Sequence, residues 1–197
     1  MDKEFTDTRQ HILNTARAII LGKGFAAVGL NEILTSAGVP KGSFYHYFKS
    51  KEDFGNTLLQ DYFDRYLARL EQALRPGAAP AGEQLLRFFS EWIDTQSCHD
   101  VEGKCVVVKL GAEVADLSDT MRITLQQGTS RVTAVLAACI GRGIREGSIA
   151  PALDAPKTAQ VLYQMWLGAT VLGKVHRTRQ ALEDALDATY ALLGIRH

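Results

Sequence analysis

Residues 30–51 read LNEILTSAGVPKGSFYHYFKSK. Ile33 and Leu34 place an apolar face on a short helix from Leu30 to Ala37, which Gly38 can end in a left-handed conformation. Pro40 has a fixed φ and no amide proton, so it suits the first turn of a new helix better than the interior of a continued one. The spacing predicts helix, three-residue turn, helix, which is the geometry of a DNA-reading helix-turn-helix. On a 3.6-residue period Phe44 and Phe48 share the inward face of the third helix. Gly42 and His46 lie opposite, flanked by Ser43 and Tyr45. Gly42 lets a backbone approach DNA, Ser43 can donate to a phosphate, and the tyrosine hydroxyls and His46 can reach phosphates or base edges. Lys41, Lys49 and Lys51 supply the positive charge that phosphate binding requires. Residue by residue, the same pattern also fits a plain amphipathic surface helix.

Outward from this segment the helical period continues. Ile12, Leu13, Ala16, Ile19 and Ile20 predict a first helix from about Asp7 to Lys23, ended at Gly24. Ser50 and Asp53 form a capping-box pattern opening a fourth helix that carries Phe54, Leu58, Tyr62, Tyr66 and Leu70 and ends near Arg75. Residues 76–82, PGAAPAG, break the chain before a helix with Leu85, Phe88, Phe89, Trp92 and Ile93 inward. Residues 104–110, KCVVVKL, have strand propensity, but no second strand exists to pair with them, so a short helix is expected. Ser118 caps a long helix from Asp119 to Glu146. Asp154 caps another carrying Val161, Leu162, Met165, Trp166 and Ala169. A last helix, Gln180 to Leu193, aligns Leu182, Leu186, Thr189 and Leu193. The expectation is an all-α chain of about nine helices: a helix-turn-helix three-helix domain over residues 1–53 and a helical ligand-sensing and dimerisation domain over 54–197.

The chain has 197 residues, 22 basic and 22 acidic side chains, and 46% hydrophobic residues, which exclude a disordered chain, a collagen and a disulfide-stapled miniprotein. Zero net charge argues against a strongly basic nucleic-acid binder. Placement qualifies this, because residues 40–51 hold three lysines and no acid. Three cysteines, Cys98, Cys105 and Cys139, behind a charged opening with no apolar signal region fit a reducing, cytoplasmic setting. The uncharged run between Lys157 and Lys174 is too short and polar to span a membrane, so no membrane partner is expected.

Residues 9–63, including GKGFAAVGLNEILTSAGVPKGSFYHYFKSKEDF, resemble the N-terminal DNA-binding domain of the TetR family of bacterial transcriptional regulators. The resemblance implies a homodimer on a palindromic operator in double-stranded DNA, usually as a repressor. It puts Lys41, Gly42, Ser43, Tyr45 and His46 near bases and phosphates, and Tyr47 and Lys51 on the backbone. Gly29 departs from the family, which often has a Thr or Ser there to cap the second helix and touch a phosphate. Residues 105–118, CVVVKLGAEVADLS, and WLGA at 166–169 leading to Lys174 are similar to one subgroup, regulators of N-ethylmaleimide reductase type that sense electrophiles, oxidants or acrylate-like compounds. In its electrophile-sensing members, residues matching Cys105 and Lys174 form the sensing pair. Lys104 departs from that subgroup's pattern.

Cys105 also has its own physical case. The first turn of a sixth helix, with Lys104 adjacent and Lys109 one turn on, favours the thiolate that attacks electrophiles. A small buried hydrophobe beside a valine run is the alternative. Cys139, among Val132, Val135, Leu136 and Ile140, reads as core or interface packing. Cys98-His99-Asp100 reads as a polar connection, since neighbours in a loop seldom point at one another, and no half-site pattern supports a metal. Trp166 is expected beside an effector pocket. No cofactor is implied. An all-α, peroxide-reducing thiol enzyme using Cys105 lacks a resolving C-x-x-C, and a regulator with a non-covalent ligand leaves Cys105 as pocket wall. The eighth and ninth helices, through Leu182, Leu186 and Leu193, are the expected dimer contact.

Overall fold

The structure is a computed structural model that describes residues 2–77, 79–97 and 105–196. Among the described residues all regular structure is α-helical. The elements are α1 (Asp2–Lys23), α2 (Leu30–Ala37), α3 (Lys41–Tyr47), α4 (Lys51–Ala73), α5 (Ala81–Ser97), α6 (Val106–Leu117), α7 (Asp119–Glu146), α8 (Ala155–His176) and α9 (Gln180–Leu193). No helix is long and apolar enough to cross a membrane among these residues. The first helix starts five residues before the sequence expectation, because the apolar stripe that marks it begins only at Ile12.

The β-branched run after Cys105 is helical. Val106, Leu110 and Val114, at steps of four, are all buried, so the 3.6-residue period prevails over local strand propensity. Gly38 closes α2 at φ 65°, and the N–H groups beyond the helix reach the Leu34 and Thr35 carbonyls. The His11 ring donates to the carbonyl of Ala37 at 2.9 Å, tying α1 to the same end. At the start of α4 the Ser50 hydroxyl accepts from the Asp53 amide at 3.0 Å, and the Asp53 carboxylate accepts from the Lys49 amide at 2.9 Å. The box thus closes one residue further back than the usual reciprocal pair.

Contacts divide the chain into two compact units, residues 1–63 with 100–126 and residues 64–99 with 127–197. The cuts fall inside α4 and α7, and the first unit includes α6, which a division at residue 53 assigns to the second part. The first unit is built on Ile12, Leu13, Ala16 and Ile20 of α1 against Ile33, Phe44, Phe48 and Phe54, all buried. The Phe44 ring lies 5.0 Å from that of Phe48 and 5.4 Å from that of Phe54.

The second unit centres on two tryptophans. Trp166 is fully buried and stacks on Phe89 at 4.7 Å with the planes 13° apart. Its indole N–H donates to the Thr189 hydroxyl, and the Trp92 indole donates to the Thr170 hydroxyl, both at 3.0 Å. Each threonine hydroxyl donates in turn to a carbonyl one turn back, so these buried polar groups are satisfied. Leu182 and Leu193 of α9 are buried in this core and Leu186 is half-buried. That corrects the expectation that Leu182 and Leu193 present a surface to a second chain: the periodicity marked an apolar face, but the chain's own helices cover these two side chains.

Cys139 is likewise interior. Burial pushes its thiol up to about 11, opposed by the Arg142 guanidinium 3.3 Å from Sγ. Arg142 also donates to the Leu74 carbonyl and the Gln84 side chain, holding the α4–α5 connection, so Cys139 is a neutral packing group as its sequence setting indicated.

Candidate nucleic-acid interface

The recognition segment is positioned by its aromatic inner face. Phe44 and Phe48 anchor α3, and the opposite side carries exposed Lys41, Gly42, Tyr45 and His46, with Ser43 and Tyr47 half-buried. Tyr45 is 49% exposed, and the Lys41 ammonium sits 5.8 Å from its ring centre. His46 meets Tyr47 edge to face at 5.0 Å. A methyl group added at Gly42 would meet nothing within 4 Å, so the fold itself does not demand a glycine there.

Lys51 is the first residue of α4. Its ammonium is 4.9 Å from the centre of the Phe25 ring and 3.5 Å from the Ala26 carbonyl. These contacts tie it to the α1–α2 turn and restrict the positions its ammonium can take.

Gly29 is the N-cap of α2, with extended backbone at φ −77° and ψ 153° and no side chain to accept from the helix amides. The space around it is open. Gly29→Ser should therefore fold unchanged and add a few tenths of a kcal/mol of stability. A hydroxyl reaching a phosphate should tighten operator binding about fivefold, from roughly 1 kcal/mol for one hydrogen bond. Fluorescence anisotropy on a labelled duplex reads this, and an unchanged affinity would mean that the α2 N-terminus does not face the backbone.

The sensing candidates fall in different places. Cys105 belongs to the first unit, where it is the N-cap residue of α6, one position before the helical turn in which the sequence placed it. It is 5% exposed, and the Tyr62 hydroxyl donates to its sulfur at 3.9 Å. Lys174 and Trp166 belong to the second unit. Lys174 lines an open cavity of about 440 Å³ with Gln96, Thr170, Arg177 and Arg179, whereas Trp166 is sealed in the aromatic core. Lys104 and Cys98-His99-Asp100 lie outside the described residues. Among the described residues no group of three His, Cys, Asp or Glu side chains is placed to hold a metal.

A two-helix reader with an aromatic, lysine-flanked outer face, joined to a helical second unit, defines a helix-turn-helix DNA-binding regulator. Residues 12–55 match the model of the bacterial regulatory proteins of the tetR family, and residues 81–189 match the tetracyclin repressor-like C-terminal domain. The chain belongs to the TetR family. It is 38% identical to the HTH-type transcriptional repressor NemR of Escherichia coli strain K12 over 91% of this chain and 90% of that one. It is 30% identical to the HTH-type transcriptional repressor DhaR of a Mycobacterium species, over 95% and 93%. The crystal structure of E. coli NemR in its reduced form superposes with a TM-score of 0.88 at 39% identity, covering 93% of this chain and 95% of that one.

Proposed function

We propose that this regulator is a cytoplasmic, non-enzymatic repressor that binds a palindromic operator as a homodimer and is released by a small electrophile or oxidant sensed at Cys105. Lys41, Gly42, Ser43, Tyr45 and His46 enter the major groove, and Tyr47 and Lys51 hold phosphates. The observation that carries the DNA reading is the outer face of α3, aromatic and cationic around a glycine that the fold leaves free. Two such helices need a spacing of about 34–36 Å to read successive major grooves.

Dimerisation is supported by α8, which is apolar on two sides. Its exposed side carries Val161, Val171, Leu172 and Val175, at 42%, 43%, 49% and 68% exposure. Val161, exposed Gly168 and Val175 follow a seven-residue spacing, with Val171 and Leu172 three and four residues after Gly168, as in a helix-helix seam. Zero net charge fits binding that depends on this pairing, with modest non-specific affinity and strong salt sensitivity.

The sensing reading is supported by the place of Cys105 at the head of α6 and by similarity to a repressor whose solved form is named reduced. Cys105→Ser is expected to keep operator affinity and to lose release by quinones, aldehydes or hypochlorite in an anisotropy titration. Normal release from the serine variant would overturn the thiol switch and leave the repressor reading standing. Burial of Sγ behind Tyr62 favours the second reading, a non-covalent ligand for which Cys105 is pocket wall; that ligand would release the serine variant equally well.

A further inference from the structure

We infer that Glu113 of α6 is a positioning residue for the phosphate contact of Lys51. The Glu113 carboxylate accepts from two successive backbone amides of the α1–α2 turn, Phe25 N at 3.1 Å and Ala26 N at 2.7 Å. On its other side the same turn meets Lys51, which reaches the Ala26 carbonyl and lies over the Phe25 ring. The Ala26 residue is thus held between a carboxylate of α6 and an ammonium of α4. Charge-assisted bonds to N–H groups are about twice as strong as neutral ones, so this turn takes its position from α6.

Three features make the arrangement specific. The Phe25 ring sits where α4 has Gly55; a methyl group there would come within 2.6 Å of the ring and 2.7 Å of the Met121 sulfur. Gly24, at φ 100°, turns the chain so that both amides face the carboxylate, and a methyl at that position would lie 3.1 Å from Glu113 Oε2. Ser118, which follows α6, donates its hydroxyl to Glu52, the residue after Lys51. The DNA-facing end of α4 is therefore held by α6 directly through Ser118 and indirectly through Glu113 and the turn.

Glu113 lies eight residues beyond Cys105, about 12 Å along one helix at 1.5 Å per residue. Without the Glu113 carboxylate both amides lose their acceptor and the turn that positions the Lys51 ammonium is no longer held from α6. The inference rests on Lys51 being a phosphate contact.

The test is a double-mutant cycle on the intact homodimer with a DNA duplex selected by the wild-type protein from a random pool. Lys51→Ala should weaken binding about tenfold and make the dependence of log K on log salt shallower by roughly one counterion per half-site. Glu113→Ala should reproduce both changes although it removes no DNA contact, Glu113→Gln should recover part of the loss by keeping one acceptor, and the double variant should match Lys51→Ala alone. Amide exchange at Phe25 and Ala26 should accelerate in Glu113→Ala while the thermal midpoint and dimer mass stay within the range of Glu113→Gln. An unchanged salt slope in Glu113→Ala, or losses that add fully in the double variant, would overturn the role of Glu113. An unchanged slope in Lys51→Ala would remove Lys51 from the phosphate contacts, and the inference with it.

Discussion

Trp166→Ala is expected to destabilise the protein by about 3–5 kcal/mol, the range for removing a buried large aromatic. The indole is fully buried, stacks on Phe89 and donates to Thr189, so truncation leaves a cavity, strips one face of Phe89 and deprives the threonine of its donor. Native domains are stable by only about 5–15 kcal/mol, so urea denaturation should show a large drop in midpoint. Trp166→Phe keeps a stacking ring and loses chiefly the hydrogen bond, roughly 1 kcal/mol. The pair separates two roles for this residue. Trp166→Ala with undiminished stability but no response to quinone would make Trp166 an effector contact and would contradict its place in the core.

The second large effect is expected from Leu172→Asp with Val175→Asp. Both side chains are already about half or more exposed in one chain, so folding should change little. In a homodimer paired through α8, each carboxylate would be buried against an apolar partner face, a cost of several kcal/mol per ion. Light scattering should then give a monomer mass. Losing the linkage between two half-site readers removes the avidity gain of about 10²–10⁴, and operator affinity should fall by that order. A dimer of normal mass with normal affinity would place the interface elsewhere.

Much of the fold is legible in the sequence because helix signals are local. Gly38, Pro40, Ser50 and Asp154 punctuate the chain where the backbone turns, and the inward pair Phe44 and Phe48 fixes which side of α3 faces out. What the sequence hides is which apolar face is covered by what. Leu182 and Leu193 have the periodicity of an interface and are interior, whereas Val171, Leu172 and Val175 lie on the outer side of a helix that is apolar nearly all round, where periodicity is weak. The Glu113 clamp is invisible for a different reason. Its donors are two main-chain amides 87 and 88 residues away, and backbone groups leave no trace in residue identity. The Gly24 amide still bonds back to Ile20, and only the two amides after it need a distant carboxylate.

Gly42 and Gly29 share a property with a consequence for how such a protein changes over generations. At both positions a side chain would enter open space and the backbone is ordinary, so neither packing nor conformation filters what occupies them. With α3 in the groove as proposed, substitutions there would reach the operator unscreened by folding. A lineage can drift in the promoters it answers to by trading residues at these two points, without first having to repair its own stability.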